Sequence, residues 1–553
     1  MQKVSGRLLA IAAILTLSVN AAHAATIQVN TRADAVSAVD GRCSLREAID
    51  ASNNNVVSGA VAGECAAGQA APTRDSIVFT VRGAFRPSAA NGQLPPLTDG
   101  YATIDGWSAP GAVPGQRPRV VLDGNLLGPP FEIGIYIVSD HNLVRGLAIG
   151  RFDDFGVYIE TAAAHDNWIA GNRIGTNAKG RQPKPNTFGV IVQFGAHDNL
   201  VGTNGDGIDD LVEGNLISGN LADGVSFGDY GNRFSGNRIG TNAQGSAALA
   251  NGGWGIITQT GSSGLVVGTD GDGSAGDAGD GNLISGNLFG GIYVGGIGAH
   301  RISGNMIGTD STGKLAIANP TGINVEAGLA DVLIGTDADG VSDVFERNLI
   351  SGNTGHAVVL YGSNHRVAGN YVGTDISGTL ALANDYGVDA PLDASLTNGA
   401  SVIGGPTAIH RNLISGNTNT NVGFSALDMT VQCNFIGSDI TGTVDLTGNT
   451  LGLNAILIAT NSVISDNRIS FNSIGVVSSS PTASFANNII AGNDDGVNQG
   501  DSGTLDAENN WWGDPSGPTD AIGNPAGTGD TANPGPGSID YVPWLAVEPV
   551  LCP

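Results

Sequence analysis

The hexapeptide NLISGN occurs four times in this chain, at residues 215–220, 282–287, 348–353 and 412–417. Successive copies start 67, 66 and 64 residues apart, so the period is nearly constant. Such a period is typical of repeat proteins, in which each unit buries its apolar face against the next unit. The repetition therefore predicts a stacked architecture, and it assigns NLISGN to the packing of the stack and not to catalysis.

A glycine followed by alternating apolar residues marks a finer unit, as in GIYI from Gly134, GVYI from Gly156 and GIYV from Gly291. The last units are predicted to start at Gly387, Gly423, Gly452, Gly475 and Gly496. The shortest intervals between such units are 21 to 23 residues, and the longer ones alternate between about 31 and about 35. This alternation predicts a loop inserted at a different corner on successive coils. Each unit holds three short period-2 runs separated by Gly and Asn, which suit strands and turns but not helices.

Three short strands per coil predict an all-β parallel solenoid of about thirteen coils, each rising about 4.8 Å. NLISGN then forms one corner of the coil. Its leucine and isoleucine fill the interior, and its asparagines are expected to hydrogen-bond from coil to coil.

The first residues predict a secretory signal peptide. Lys3 and Arg7 precede an apolar run at residues 8–19, and Ala22-His23-Ala24 has the small-x-small pattern of a cleavage site. Twelve apolar residues are too few to span a bilayer, and no later stretch is long and apolar enough for a membrane helix. We therefore expect an exported protein with no membrane span in its mature chain, located in the periplasm, at the cell surface or outside the cell.

Charge and cysteine content indicate which partners and which disulfides the protein is expected to have. A net charge of −27 repels nucleic acid and anionic polysaccharide and favours cations, so no nucleic-acid partner is expected. In an exported protein four cysteines favour disulfides, and Cys43–Cys65 is the predicted local pair. Cys433 and Cys552 pair only if the C-terminus folds back, a point that the sequence leaves open.

Several motifs resemble those of one known family. NLISGN alternates with NRIGTN (172–177, 237–242), NMIGTD (305–310) and NYVGTD (370–375), DGRCSLREAIDASN spans 40–53, and ENNWWGDPSGP (508–518) precedes YVPWL (541–545). Together they resemble secreted bacterial right-handed parallel β-helix repeat proteins with an N-terminal CSLREA segment. The resemblance covers nearly the whole mature chain. It implies a right-handed parallel β-helix and export, but no defined activity, because the family's activities are varied or unknown.

The two ends predict caps, which protect the open edges of a solenoid from aggregation. Ser44 and Glu47 form a capping box at the start of a helix that is expected to cover the first coil. Trp511, Trp512 and Trp544 are expected to pack at the other end. The predicted organisation is a signal peptide at 1–24, an N-terminal cap with the first strands at 25–125, β-helix repeats at 126–505 and a C-terminal cap at 506–553.

Three acidic loops, at 204–210, 270–277 and 337–343, lie between a strand and a copy of NLISGN. Closely spaced carboxylates around glycine are what calcium requires, although the complete EF-hand loop pattern is absent and the equivalent fourth loop (404–410) has no acid. Two interpretations stay open: calcium as a cofactor, or solvated acidic turns. The candidate ligands are Asp206, Asp209, Asp270, Asp272, Asp277, Asp337, Asp339 and Asp343.

The exposed face of the first strand ladder is where β-helix glycosidases and lyases usually work. Alternation places in one outward row Tyr136, Tyr158, Ile191, Ser226, Ile257, Tyr293, Asn324, Val359 and Asp389. The next outward row contains Glu160 and Glu326, but they are not on adjacent coils, so the paired carboxylates of a glycosidase are missing. These two rows also contain no Lys or Arg, which a polyuronate lyase would use to abstract a proton.

Two functional hypotheses follow. The first is an exported, non-catalytic, monomeric β-helix of adhesin or matrix type that presents a repetitive surface to glycan or cell surface. The alternative is a polysaccharide lyase or glycoside hydrolase of the pectin-lyase-like type, so enzyme activity stays open. Arg233, Arg301 and Arg366 recur on the second strand and are expected to be solvated partners of the acidic loops.

A glycan site is predicted where Tyr136 and Tyr158 occupy the same outward position on adjacent coils. Their rings and the hydroxyl-accepting Glu160 suit sugar binding, and Asp153 and Asp154 border the same patch. The competing interpretation is a simple cross-strand pair of tyrosines that stabilises the sheet.

Overall fold

The computed structural model describes residues 24–128, 132–392, 399–446, 454–458, 461–480 and 482–552. All but the last residue of the predicted signal peptide lies outside these ranges. The described chain is almost entirely β-structure in three long sheets, and every strand pair in them is parallel. Short strands that return to the same three sheets in turn wind the chain into a right-handed parallel β-helix, the handedness that parallel crossovers favour. The fold prediction is confirmed.

Sheet A has 17 strands in the described part of the chain, which lie one per coil. Its strands are Thr26–Val29, Asp75–Phe79, Ala102–Asp105, Leu143–Arg145, Trp168–Ala170, Leu200–Gly202, Arg233–Ser235, Val266–Gly268, Arg301–Ser303, Leu333–Gly335, Arg366–Ala368, Val402–Gly404, Thr430–Gln432, Val463–Ser465, Ser484–Ala486, Thr504–Asp506 and Ser538–Asp540.

Sheet B has 14 described strands. They are Gly83–Phe85, Val120–Asp123, Leu147–Gly150, Arg173–Ile174, Leu216–Ile217, Arg238–Ile239, Leu283–Ile284, Met306–Ile307, Leu349–Ile350, Tyr371–Val372, Leu413–Ile414, Phe435–Ile436, Arg468–Ser470 and Ile489–Ala491.

Sheet C has 15 described strands. They are Ile133–Ile137, Phe155–Glu160, Phe188–Gln193, Val225–Phe227, Trp254–Thr258, Gly290–Val294, Ile323–Val325, His356–Leu360, Tyr386–Ala390, Thr420–Phe424, Asn454–Ile458, Ile474–Ser478, Asp495–Gln499, Pro518–Thr519 and Gly529–Asn533. Thirteen of them, from Ile133–Ile137 to Asp495–Gln499, correspond to the predicted coils. Two predicted repeat starts were wrong. Gly423 pairs with Asp389, so Asn421 is the residue equivalent to Gly387. Asn454 pairs with Thr420, so Ala455 is the residue equivalent to Asn421, and the predicted start Gly452 lies outside the described residues.

Inward-facing Ile, Val and Leu fill the interior of the coil, and buried asparagines line its corners. In the longest asparagine ladder, each side-chain amide donates to the carbonyl oxygen of the next asparagine, through residues 172, 215, 237, 282, 305, 348, 370, 412, 434, 467, 488 and 510. The first Asn of every NLISGN belongs to this ladder and the last Asn to a parallel one. The predicted coil-to-coil bonding of the asparagines is confirmed.

Loops leave the stack at two alternating corners, as the repeat intervals predicted. One set joins sheet B to sheet C, as at 175–187, and the other joins sheet A to sheet B, as at 203–215. Loops of the first set contact each other along the stack, because the Ala243 amide donates to the Gly180 carbonyl oxygen at 2.9 Å and the Ser311 amide to that of Gly245 at 2.8 Å.

The N-terminal end is covered by the predicted helix, Leu45–Asn54, which begins with the predicted capping box of Ser44 and Glu47. A second short helix, Asp210–Glu213, and two 3₁₀ turns, Gly106–Ser108 and Ala408–His410, complete the helical residues described. No helix among the described residues has the length and apolar character needed to cross a bilayer.

Two disulfides close the ends of the chain onto the solenoid. Cys43–Cys65 is the predicted local bond, and Cys433–Cys552 forms as well, with Cα atoms 5.9 Å apart. The C-terminus therefore does fold back, across 119 residues of sequence.

Candidate functional site

The outer face of sheet C carries the side chains that the sequence placed in its two outward rows. Strand alternation turns Ile135 and Ile137 into the core and Tyr136 outward. The register joins the predicted first row from coil to coil, pairing Tyr136 with Tyr158, Tyr158 with Ile191, and so on to Val359 with Asp389.

A polar cluster forms at the start of this face, and we call it the tyrosine–glutamate cluster: Tyr136, Tyr158, Glu160 and Gln193. The hydroxyls of both tyrosines donate to Glu160, that of Tyr158 at 2.5 Å, and the Gln193 amide donates to the Tyr158 oxygen at 2.8 Å. Burial, followed by the hydrogen bond to Glu160, raises the pKa of Tyr136 to about 12 and raises the pKa of Tyr158 well above its usual value. Both phenols therefore stay protonated and keep donating to Glu160.

The two tyrosine rings stack on each other, so their faces are not open to solvent. Their centroids are 5.4 Å apart with planes at 17°, and Tyr158 is only 7% exposed. Phe155 and Phe188 continue the aromatic surface, with Phe155 4.7 Å from the Tyr158 ring. A ligand would therefore meet the ring edges, the hydroxyls and Glu160, while the ring faces support one another.

Asp153 and Asp154 lie just before the strand that carries Tyr158, and both contact Glu132. The Asp154 carboxylate accepts from the Glu132 amide at 2.9 Å, and the Asp153 amide donates to the Glu132 carboxylate at 3.3 Å. Burial raises the pKa of Glu132. The structure thus brings Tyr136, Tyr158 and Glu160 together, with the two aspartates at the other end of the strand.

A second cluster on the same face involves a histidine that the sequence analysis passed over. His356 Nε2 lies 3.3 Å from the Asp389 carboxylate, and the Tyr386 ring stacks on the imidazole with centroids 4.5 Å apart. These side chains, with Thr420 and Gly423, line an open depression of about 280 Å³. The available signal was the dipeptide His356-Ala357, where a repeat begins with alanine in place of glycine.

The three acidic loops are stacked at the corner between sheets A and B, two coils apart, and they contact one another. The Ser274 hydroxyl donates to the Gly205 carbonyl oxygen at 2.9 Å, and the Ser342 hydroxyl donates to the Asp277 carboxylate. Asp270, Asp272 and Asp277 form one group whose oxygens lie within 4.8 Å of one another, and Asp337 and Asp343 form a second such group with Glu346.

The other predicted ligands serve their own turns. Asp206 and Asp339 each accept a backbone amide two residues further on, at 2.7 Å in both loops. Asp209 takes a left-handed backbone conformation (φ 62°) before the short helix and belongs to neither carboxylate group described.

Arg233 and Arg301 form ion pairs with the acidic loops, as predicted, but their side chains are only 20% and 17% exposed, which corrects the expectation that they are solvated. Arg301 binds Asp337 at 2.7 Å and also the carboxylate of Glu346, whose side chain has no exposed surface. Burial raises the pKa of Glu346, whereas Arg301 lowers the pKa of Asp337 in spite of burial. Glu346 was missed because it lies nine residues after Asp337, beyond the acidic run.

Arg233 makes the equivalent contacts one repeat earlier, with Asp270 and with the fully buried Asp280, the latter at 2.5 Å. Burial, partly offset by Arg233, raises the pKa of Asp280 to about 7. One carboxylate oxygen of Asp270 and one of Asp280 have no hydrogen-bond partner. The loop therefore has free acceptor capacity next to its carboxylate group.

No protein-family model matches this chain, and no curated protein does. Solved structures with a weak likeness to this chain include the following two. One is the crystal structure of the Dettilon tailspike protein, whose sequence is 17% identical to this chain. It matches with a TM-score of 0.34 over 71% of this chain and 60% of the tailspike chain. The A-module of the Azotobacter vinelandii mannuronan C-5 epimerase AlgE4 is 12% identical with a TM-score of 0.29, over 79% of this chain and 86% of the module. The chain thus spans less than two thirds of the tailspike, and similarity this low carries no information on ligand or activity.

Proposed function

We propose that this is an exported, non-catalytic β-helix protein that binds glycan through the outer face of sheet C. The tyrosine–glutamate cluster is the observation that carries the proposal. It offers one carboxylate, two phenols and an amide on adjacent coils, bordered by aromatic side chains, which is the mixture of apolar and hydroxyl-binding groups that sugars require. The protein acts as a monomer on polysaccharide or a cell-surface glycan.

Export is proposed on separate grounds. Two disulfides account for all four cysteines, and disulfides persist in oxidising compartments. In this proposal residues 1–24 are a signal peptide, residues 40–53 the N-terminal segment of CSLREA type within a cap at 25–125, residues 126–505 the repeats and residues 506–553 the C-terminal cap.

The proposal predicts that Tyr136→Phe with Tyr158→Phe abolishes glycan binding. Phenylalanine keeps the packed rings but removes the two hydroxyls that hold the Glu160 carboxylate in position and that a sugar would meet. A lost hydrogen bond between sugar and a charged group costs about 1.5–3 kcal/mol, or roughly 10- to 100-fold in affinity. Phenylalanine is preferred to alanine, because alanine at the buried Tyr158 would open a cavity. Binding is measured on an array of neutral and acidic polysaccharides, with the melting temperature of each variant as a check on folding.

Tyr293→Phe is the matched control, because Tyr293 occupies the same outward row four coils beyond Tyr158 and interacts with Glu326. It should bind as the wild type does. Equal loss in the control and the double variant would place the ligand along the whole face, and undiminished binding in the double variant would move the site elsewhere.

The alternative, a lyase acting on polysaccharide, is favoured by the His356–Asp389 pair. A carboxylate that orients an imidazole makes it a suitable general base, and the Tyr386 phenol is a suitable proton donor. The depression is lined by a single carboxylate, so hydrolysis by a carboxylate pair is not favoured there. Assays for reducing ends and unsaturated products over the same polysaccharides should detect nothing. Products that form with the wild type and disappear with His356→Asn would replace the non-catalytic proposal by this one.

Calcium binding by the acidic loops is proposed as a structural cofactor role. If the groups around Asp272 and Asp343 hold calcium, a chelator should lower the melting temperature, because an ion present at 100 times its Kd stabilises the fold by about 2.7 kcal/mol. Asp272→Asn with Asp343→Asn should remove the response to chelator. Asp339→Asn is the control, because Asp339 belongs to neither group. A melting temperature unaffected by chelator would leave these loops as acidic turns held by Arg233 and Arg301.

A further inference from the structure

A column of five flat rings runs along the corner that precedes sheet A, away from the surfaces described above. Five successive coils contribute Tyr101, His141, His165, His197 and Tyr230, with centroids 4.4, 5.8, 5.1 and 4.6 Å apart. Three of these contacts are stacked within 14° of parallel, and the His141–His165 contact is T-shaped at 78°. Three imidazoles therefore come together at one corner of the solenoid.

Carboxylates surround the first two imidazoles. His141 Nδ1 lies 2.8 Å from Asp140 Oδ2, and His165 Nδ1 lies 2.7 Å from Asp166 Oδ2. The same Asp166 oxygen lies 3.8 Å from His141 Nε2, so it is placed between the two rings. Donor atoms of Asp140, His141 and His165 lie within 4.8 Å of one another.

We propose that Asp140, His141, His165 and Asp166 form a binding site for a divalent transition metal ion of the Zn²⁺ type. Two imidazole nitrogens and two carboxylates are a donor set that Zn²⁺ takes in four-coordinate geometry, at about 2.0–2.2 Å from each ligand. Calcium takes oxygen ligands only, so this site and the acidic loops select different ions.

The four side chains are accessible to an ion arriving from solvent. Their exposed fractions are 31% for Asp140, 35% for His141, 32% for His165 and 50% for Asp166. Four-coordinate ligands lie about 3.5 Å apart. The donor atoms of Asp140, His141 and His165, which lie within 4.8 Å of one another, need to close by about 1 Å. The His141–Asp140 and His165–Asp166 contacts of 2.8 and 2.7 Å need to open slightly. Tyr101 stacks on His141 with planes only 4° apart and limits the tilt of that ring.

Isothermal titration with Zn²⁺ in the presence of excess Ca²⁺ tests this site, because Ca²⁺ competes for carboxylate oxygens such as those of the acidic loops and not for imidazole nitrogens. We expect the wild type to bind one Zn²⁺ per chain. His165→Ala and His141→Asn should each lower the affinity by more than the roughly 10- to 100-fold that follows loss of an outer-shell partner. Asparagine is chosen for His141 because this residue has φ 55°, a left-handed conformation that asparagine adopts more readily than alanine.

His356→Ala is the control, because His356 has similar exposure and one carboxylate partner, but belongs to no described metal-ligating group. It should bind Zn²⁺ as the wild type does. Circular dichroism and the metal-free melting temperature should be the same for all four proteins. Failure of the wild type to bind, or equal binding by the folded His141→Asn variant, would overturn the proposal.

Discussion

An Asn305→Ala variant should lose about 3–5 kcal/mol of unfolding free energy, because the asparagine ladder is continuous and buried. The Asn305 amide nitrogen donates to Val267, Ser303 and Asn348, and its oxygen accepts from both the backbone and the side chain of Asn282. Alanine would leave several buried donors and acceptors unpaired, at about 1–3 kcal/mol each, and relaxation would recover part of this cost. Denaturation by urea provides the measurement.

Asn125→Ala is the control for that prediction, because Asn125 is exposed and lies outside the ladders. A change within about 0.5 kcal/mol is expected there. If Asn305→Ala were equally mild, the ladder would contribute little to stability, and the repetition of NLISGN would need another explanation.

Arg301→Met should destabilise the protein by a similar amount, about 3–5 kcal/mol at neutral pH, because it leaves the carboxylate of Glu346 buried without its partner. Burial raises the pKa of Glu346 even with Arg301 present, and removal of the guanidinium should raise it further. A carboxyl group with a raised folded-state pKa loses stability as pH rises through that value. The destabilisation should therefore be larger at pH 8 than at pH 5.

Arg366→Met is a close control, because Arg366 occupies the same strand position one repeat later, where the facing loop at 404–410 has no acid. No ion pair of Arg366 occurs among the described residues, so its replacement should change stability by less than about 1 kcal/mol. Equal effects of the two substitutions at all pH values would contradict the role assigned to Glu346.

The sequence was sufficient to predict the coil because the residue patterns that determine a coil lie within a short stretch of chain. Period-2 alternation predicted that Tyr136 and Tyr158 face outward, and the NLISGN period predicted which asparagines repeat, since each coil repeats the same residue types at the same corners. Gly423 was wrongly taken as the start of its repeat because Asn421 replaces glycine at the true start, and the next glycine lies two residues later.

The site chemistry was harder to predict because its contacts join residues on different coils. Arg301 reaches Asp337 and Glu346, which lie 36 and 45 residues further along the chain. The column of five rings was marked in the sequence by a repeated tripeptide. His165-Asp166-Asn167 recurs as His197-Asp198-Asn199, and Asp140-His141-Asn142 has the first two residues reversed. The contacts between these rings depend on how the turns of successive coils stack, and the order of residues within one turn does not specify that stacking.

The alternating loops give the solenoid two edges with different chemistry and leave the outer face of sheet C open. The acidic loops and their arginines occupy the corner between sheets A and B. The loops that join sheet B to sheet C, such as 175–187, occupy the corner between those two sheets. The outer face of sheet C lies between the corner of sheets B and C and the corner that precedes sheet A, and it keeps a regular coil spacing, which suits an extended ligand.

The measurement that bears most directly on glycan binding by sheet C is a crystal structure of the protein with the oligosaccharide that binds best on the array. We expect ordered sugar across the outer face of sheet C, with hydroxyls within hydrogen-bond distance of Glu160 and Gln193 and a ring against the edge of Tyr136. Sugar ordered on another surface, with the tyrosine–glutamate cluster uncovered, would contradict the assignment.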